Sequence, residues 1–231
     1  MNQDFRDGVR TALPIIFSFV PFGLLFGALA VDQGLSVGEA VLMSATIFGG
    51  ASQMVGIELF GQKVSPALLV LSVFAVNFRH ILYSAAIGRR IAHFSFWQKA
   101  LAFFLLTDPQ FAESEKRAEA GRKLTMSWYL GLGLANYAWW QVLTLIGALF
   151  GSLVPDTKAF GLDFLLPIYF LGLLVGFRRR PNWLAIVMAS AVASVIAFDV
   201  IGSPWHIACG AVAGIALAAM MPPKRAGEAA S

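Results

Sequence analysis

Residues 38–61 read GEAVLMSATIFGGASQMVGIELFG, an apolar run interrupted in its middle by Gly49-Gly50-Ala51-Ser52-Gln53. A helix needs about 20 apolar residues to cross a bilayer, so this run has the length of a span. The two adjacent glycines weaken the helix at its centre. A backbone broken at membrane depth is tolerated only inside protein or beside a watery cavity. The stretch therefore predicts a broken or re-entrant helix inside a membrane protein.

The composition of the whole chain agrees with a membrane protein. Of the 231 residues, 58% are hydrophobic and 13% are charged, and the mean hydropathy is +0.73. A soluble domain carries about 25% charged residues, so this chain cannot cover a water-facing surface. The net charge of +4 comes from basic residues that lie between apolar runs, where they are topology signals rather than a nucleic-acid surface.

Six other apolar runs have the length of membrane spans. The segment Phe96–Leu106 is apolar but short, so it joins Gly38–Gly61 as an irregular segment. We expect an all-α polytopic transmembrane helix bundle of about six full spans plus two broken or re-entrant segments, with seven or eight spans as alternatives. The six runs are Thr11–Val31, Val64–Gly88, Thr125–Leu153, Leu162–Phe177, Pro181–Ile201 and Pro204–Met221.

The basic residues favour re-entry of both irregular segments. If both re-enter, every basic cluster falls on one side of the membrane, and the positive-inside rule makes that side cytoplasmic. We therefore expect both termini in the cytoplasm, a single membrane transport domain over residues 1–231 and a flexible cytoplasmic tail over residues 222–231. The clusters are Arg6/Arg10, Arg89/Arg90/Lys99, Lys116/Arg117/Arg122/Lys123, Arg178–Arg180 and Lys224/Arg225.

Glycine pairs four residues apart predict close helix packing, for example Gly23/Gly27, Gly147/Gly151 and Gly210/Gly214. Ordinary glycine frequency in membrane helices is an equal alternative for any one pair. No internal repeat is evident in the sequence, although inverted repeats are often invisible there.

The broken run is the first candidate site. The start of its second half-helix carries partial positive charge, which would hold the carboxylate of an amino acid. Ser52 and Gln53 would add hydrogen-bond donors beside Gly49, Gly50 and Ala51. The alternative is a glycine-kinked packing helix without a ligand.

The second candidate lies in the span Val64–Gly88. At 100° per residue, Asn77, Arg79, His80 and Tyr83 share one arc, and Phe74, Phe78, Ile81, Leu82 and Ala85 lie on the other side. An arginine within a span is costly, so the polar arc is expected to face the protein interior. His80 is a candidate for proton coupling. The alternative places Arg79 at the membrane interface and His80 in the core.

A third polar arc lies in the span Thr125–Leu153. Asn136, Tyr137, Trp140, Gln141 and Thr144 face one way, and Leu134, Ala138, Val142 and Leu145 face the other. Aromatic rings with amides suit a pocket for a side chain and a polar head group. Helix packing through buried amides is an equal alternative. Trp128 and Tyr129 are interpreted as interfacial anchors.

A polar helix is expected after the short segment. Thr107 with Gln110 fits a capping box, and if Asp108 caps instead, Pro109 takes the first helical position. We interpret Asp108 as a helix cap rather than a proton carrier. The helix would run to about Gly121, with Glu113–Arg117 and Glu119–Lys123 as charged pairs four residues apart.

Common catalytic motifs are absent from the sequence. It contains no G-x-x-x-x-G-K-[ST], H-E-x-x-H or G-x-S-x-G pattern and one cysteine, Cys209. The three histidines lie in different segments. We expect no enzyme activity, no cofactor and no metal site.

Four motifs together resemble the AzlC family. They are Pro21-Phe22-Gly23 with Phe26-Gly27, Phe48–Gln53, Asn77-Phe78-Arg79-His80 with Tyr83, and Thr107-Asp108. The resemblance runs from about Phe5 to the last span, and this chain departs from the family pattern at Pro109, where an acidic residue is expected. It implies the large subunit of a branched-chain amino acid exporter that works with a small hydrophobic AzlD-type membrane subunit. The implied substrates are valine, leucine, isoleucine and also methionine, moved by secondary transport across the bacterial cytoplasmic membrane.

Other functions stay open on the sequence alone. A channel or importer for another small solute would use the same spans, and a non-transporting scaffold subunit would need no site. Substitution of Arg79 by leucine separates the scaffold from a transporter, because a scaffold would leave transport unchanged.

Overall fold

The computed structural model describes residues 3–61, 63–150, 171, 174–175, 177–202 and 205–221, and the regular elements of this part of the chain are helices. They are α1 (Gln3–Asp32), α2 (Val37–Ile47), α3 (Gly50–Gly61), α4 (Pro66–Arg90), α5 (Phe96–Phe104), α6 (Asp108–Glu119), α7 (Met126–Phe150), α8 (Trp183–Val200) and α9 (Trp205–Met220). The predicted all-α membrane bundle is confirmed. The predicted span Leu162–Phe177 lies almost entirely outside the described residues, as does the tail 222–231.

The long helices have the dimensions and surfaces of membrane spans. Of the described helices, α1, α4 and α8 are long and apolar enough to cross a bilayer. Their outward faces carry large apolar side chains, such as Phe74 (57% exposed), Ile81 (52%) and Val195 (62%). On α7 the exposed residues include Leu134 and Leu145, whereas Asn136 and Thr144 are buried, as the predicted arc requires. Lipid is the solvent that such faces need.

The core of the bundle is the parallel pair of α1 and α7. Gly8 lies against the backbone of Trp128, and Gly27 lies against the backbone of Thr144, so the two helices run in the same direction. A Cβ atom at Gly27 would stand 2.2 Å from the Thr144 carbonyl oxygen, and only glycine permits this approach. The predicted small-residue packing is confirmed here, and also where Gly210 and Gly214 of α9 pack on Ser190 of α8.

The first irregular segment is a hairpin that returns to the end where it began. Ser36 caps α2 in a capping box with Glu39. Helix α2 stops at Phe48, which adopts a left-handed conformation at φ 36°. Helix α3 then runs back until Gly61 lies against the side chain of Gln33, next to the end of α1. Segment 38–61 therefore re-enters and does not cross.

The second irregular segment, α5, forms a second hairpin together with α6, and this hairpin enters from the opposite end. Ser95 caps α5 in a capping box with Gln98, and α5 stops at Leu105. The Tyr129 hydroxyl of α7 donates a hydrogen bond to the Ala102 carbonyl of α5 at 3.0 Å. The Tyr129 backbone carbonyl accepts a hydrogen bond from the Gln110 side chain of α6 at 3.1 Å. Both arms thus pack beside the same turn of α7, and the segment re-enters.

These two hairpins make an inverted repeat, which the sequence did not reveal. Each unit is a capped hairpin followed by a 25-residue helix, α4 or α7. Each long helix starts with a hydroxyl cap, because Ser65 accepts from the Leu68 N–H and Thr125 accepts from the Trp128 N–H. The units enter from opposite ends, as the inverted repeats of many transporters do.

Four basic clusters converge on the end where α1 and α7 begin, which we call the basic end. They are joined to acidic residues through Arg117–Asp4 (3.6 Å), Arg122–Asp7 (3.4 Å), Arg90–Glu115 (3.6 Å) and Arg180–Glu119 (2.6 Å). The predicted placement of these clusters on one side is therefore observed. The cluster Lys224/Arg225 lies outside the described residues.

Three local predictions at this end were wrong. Thr107 precedes α6 but makes no capping hydrogen bond, because the Gln110 side chain turns to Tyr129 instead. The pairs predicted for Glu113 and Glu119 are replaced by Glu113–Lys116 and Glu119–Arg180, since nearer and tertiary partners compete.

The third error concerns the aromatic anchors. Trp128 is 2% exposed and Tyr129 is 0% exposed, so neither lies at the lipid interface. The guanidinium of Arg117 stacks 4.7 Å from the Trp128 ring centroid. Both aromatic residues pack between α7 and the second hairpin.

Candidate functional site

The two hairpin tips meet inside the bundle. The ring of Phe48, at the tip of the first hairpin, lies 6.4 Å from that of Phe104 in the second hairpin and 5.0 Å from Tyr137 of α7. Between the tips is a cavity of about 50 Å³, which we call the tip cavity. Its lining comes from both hairpins, α1 and α7: Phe19, Phe22, Phe48, Gly50, Ala51, Met54, Thr107, Asp108, Pro109 and Trp140.

A buried hydrogen-bond network holds the first tip in place. Gln53 is wholly buried, and its Oε1 accepts the indole N–H of Trp140 at 3.1 Å and the Gly49 N–H at 3.3 Å. Its Nε2 donates to Ser44 Oγ at 2.9 Å, and Ser44 shares a 2.8 Å hydrogen bond with Thr144. The network joins α2, α3 and α7 across the break.

The helix start at the break faces the tip cavity. Gly50 and Ala51 line the cavity as the first residues of α3, where backbone N–H groups have no intrahelical acceptor. The Ser52 hydroxyl donates to the Gly49 carbonyl at 2.8 Å. Ser52 borders a separate, apolar cavity of about 500 Å³ between the first hairpin and α4.

The second tip contributes an acidic group. It is Asp108, the first residue of α6. Its Oδ2 lies 3.3 Å from Arg79 Nη2, and its Oδ1 accepts a hydrogen bond from the Tyr83 hydroxyl at 3.0 Å. The Tyr83 ring stacks on Phe111 at 4.3 Å, and His80 lies beside Tyr83 at 5.6 Å. The polar arc of α4 thus faces the interior and ends on Asp108.

The structure brings together part of the predicted site. Gly50, Ala51 and Trp140 line the cavity, Gly49, Ser52 and Gln53 shape the break, and Arg79 and Tyr83 reach the cavity wall through Asp108. Asn77 is half-buried on α4. The amide groups of Asn136 and Gln141 are buried, and the described residues offer them no hydrogen-bond partner.

Asp108 is the main residue that sequence reasoning missed. Pro109 after it is typical of a helix start, which explains its interpretation as a cap. A stronger signal was available, since Asp108 lies two residues after the apolar run Phe96–Leu106, and ionisable groups at membrane depth are functional by default. The aromatic lining at Phe19, Phe22 and Phe48 carried no sequence signal beyond its apolar character.

Within the part of the chain that the structure describes, no three histidine, cysteine, aspartate or glutamate residues are placed to hold a metal ion.

Comparison with known proteins gives the family. The sequence pattern described as AzlC protein matches residues 14–154. The Escherichia coli inner membrane protein YgaZ is 32% identical over 221 residues, which are 92% of this chain and 89% of that protein. An uncharacterized membrane protein of Archaeoglobus fulgidus is 36% identical over 191 residues, 82% of this chain and 83% of that protein.

A more distant relative carries a functional name. The branched-chain amino acid transport protein AzlC of Bacillus subtilis is 24% identical over 198 residues, 84% of this chain and 77% of that protein. No solved structure matches the chain significantly. The matched region, residues 14–154, contains both hairpins and the tip cavity, and this chain is a membrane protein that belongs to the AzlC family.

Proposed function

We propose that this chain is the large subunit of a secondary transporter that exports branched-chain amino acids, with the substrate bound in the tip cavity. The observation that carries the proposal is an apolar, aromatic cavity between two broken helices, with a helix start on one wall and a carboxylate on another. Transporters bind solutes where half-helices end near the bilayer midplane. The name of the Bacillus subtilis relative supports the substrate class.

The apolar lining suits the substrate side chain. Phe19, Phe22, Phe48, Met54 and Trp140 surround the cavity. Transfer of a branched aliphatic side chain from water to such a lining is favourable, because apolar surface is buried. Transfer of a small polar solute would be much less favourable.

The start of α3 suits the substrate carboxylate. Backbone N–H groups at a helix start carry partial positive charge and bind anions. Gln53 keeps this start in place through Trp140 and Ser44. In this proposal Gln53 positions the site, and it does not touch the substrate.

The tip cavity is small in the described conformation. A cavity of about 50 Å³ holds a few water molecules, whereas ligand sites usually have about 300–1,000 Å³. Binding of leucine there therefore requires the cavity to widen. His80 stays our candidate for proton coupling, since it lies in the same polar group as Tyr83.

We place the basic end in the cytoplasm of a bacterial cell, by the positive-inside rule. Outward transport then means movement from the basic end to the opposite end. A small hydrophobic AzlD-type subunit is proposed as a partner on the strength of the family resemblance. The transport family and the absence of a motif with an activated nucleophile both speak against an enzyme.

The experiment is efflux from cells preloaded with a leucine-containing dipeptide. Strains express the chain with the small subunit, each protein alone, or neither, and membrane levels are checked by immunoblot. The proposal predicts that leucine leaves fastest when both are present. Equal efflux from all strains, with the chain confirmed in the membrane, would contradict it. A channel would instead release unrelated small solutes at similar rates.

A further inference from the structure

Asp108 stands on the wall of the tip cavity with unused hydrogen-bonding capacity. Its side chain is 11% exposed, and among the described residues Oδ2 pairs with Arg79 and Oδ1 accepts from Tyr83. An ionised carboxylate accepts about four hydrogen bonds. Arg79 and Tyr83 therefore fix the orientation of the carboxylate and leave it capacity to accept from a ligand.

Thr107 supplies an independent sign of a ligand beside Asp108. Its side chain is 9% exposed and lines the cavity. The hydroxyl oxygen is buried, and no described residue hydrogen-bonds to it. Buried polar groups nearly always have partners, so this hydroxyl, on a residue that lines the cavity, is a candidate partner for a ligand or a water molecule.

The same cavity also carries a partial positive charge. Gly50 and Ala51, the first residues of α3, line it together with Asp108. A solute in the cavity thus lies near both a carboxylate and the positive end of a helix. A free α-amino acid, with an ammonium and a carboxylate on one carbon, matches this charge pattern.

We propose that Asp108, with Thr107, binds the ammonium group of the substrate. The inference rests on the proposed function and adds a requirement to it: the transported molecule carries a free ammonium group. Branched-chain 2-oxo acids, 2-hydroxy acids and N-acylated amino acids are then rejected. Arg79 and Tyr83 are positioning residues, because they act through Asp108.

Substrate analogues test the proposal on the unaltered protein. The full-length chain is purified with its small partner, and Kd values are measured by calorimetry for leucine, N-acetyl-leucine and 4-methylpentanoate, which is leucine without its amine. Loss of a charge-assisted hydrogen bond predicts that both analogues bind about tenfold more weakly or worse. Equal Kd values for leucine and 4-methylpentanoate overturn the inference.

Asp108→Asn locates the interaction. We expect this variant to bind leucine about tenfold more weakly or worse and to bind 4-methylpentanoate unchanged, so that discrimination disappears. The matched control is Glu113→Gln, an acid on the same helix that pairs with Lys116 away from the cavity. A wild-type leucine Kd in Asp108→Asn overturns the inference.

Two further outcomes remain distinguishable. If Asp108→Asn does not fold, the analogue series on the unaltered protein still tests whether the substrate needs a free ammonium group. If the unaltered protein binds none of valine, leucine and isoleucine, the proposed function falls and this inference falls with it. Equal binding of leucine and its deaminated analogue, by contrast, overturns the inference alone.

Discussion

Gln53 is a fully buried amide whose hydrogen bonds close the break between α2 and α3. It accepts hydrogen bonds from the Trp140 indole N–H and the Gly49 N–H, and it donates one to Ser44. Its place next to two glycines predicted a direct substrate contact. In the described structure both of its polar atoms bond to the protein, so in the proposed site it holds the break in place and does not touch the substrate.

Gln53→Leu is expected to destabilise the protein and abolish transport. The Trp140 and Gly49 N–H groups lose their acceptor, whereas Ser44 keeps its hydrogen bond with Thr144. Each group left unsatisfied costs about 1–3 kcal/mol. Thermal unfolding in detergent measures the change. Thr46→Val is the matched control, because the exposed Thr46 hydroxyl bonds only within its own helix, to Leu42. Equal melting temperatures for Gln53→Leu and Thr46→Val would contradict the role given to the network.

Arg79→Leu is expected to abolish transport, whereas Arg79→Lys keeps a part of it. The leucine side chain at position 79 cannot pair with the buried Asp108 carboxylate. Loss of the cationic partner costs about 3–5 kcal/mol for a buried pair. Transport is measured by leucine efflux at matched membrane levels. Arg89→Leu is the control, since Arg89 is exposed at the end of α4. Wild-type efflux in Arg79→Leu would favour the scaffold function.

At the scale of the elements, the two hairpins show what the sequence determines and what it does not. The run 38–61 with its central glycines predicted a break, and the basic clusters predicted re-entry. Contact between Gly61 and Gln33 establishes the hairpin. The sequence did not show the inverted repeat, because the two units share the positions of their helix caps and no similar sequence. Ser36 with Glu39 and Ser95 with Gln98 cap the equivalent helices.

The site was predicted less completely than the fold for a related reason. The contact between Arg79 and Asp108 joins two helices, and no local pattern encodes it. A proline after Asp108 explains that residue locally, so the tertiary role stayed hidden. Periodicity did place Arg79 and Tyr83 on one interior face, because that property belongs to a single helix.

Labelling of introduced cysteines tests the hairpin topology. In a Cys209→Ser background, Asp32→Cys and Lys63→Cys flank the first hairpin, and Lys99→Cys begins the second. Re-entry predicts that a membrane-impermeant maleimide labels the first two from one side and Lys99→Cys from the other. Labelling of Asp32→Cys and Lys63→Cys from opposite sides would show that segment 38–61 crosses. Permeabilised cells are labelled as the control, to show that each introduced cysteine reacts once the reagent reaches both sides of the membrane.

At the scale of the whole molecule, the two inverted units place one cavity between opposed hairpins. Helix α7 packs against both tips, because the Trp140 ring lies against Gly50 in the first and Gly133 lies against Leu105 in the second. In the proposed transporter, displacement of one tip or the other would open the cavity to one end of the molecule.

Leucine counterflow in proteoliposomes shows whether the solute binds between the tips. The proteoliposomes contain the chain with its small partner. Ala51→Phe fills the tip cavity, and Ala138→Phe adds the same ring to the exposed face of α7. Unfolding temperature and monodispersity confirm that both variants fold. We expect leucine exchange by the unaltered protein and by Ala138→Phe, and none by folded Ala51→Phe. Exchange by Ala51→Phe at the wild-type rate would contradict binding in the tip cavity and place the solute elsewhere in the molecule.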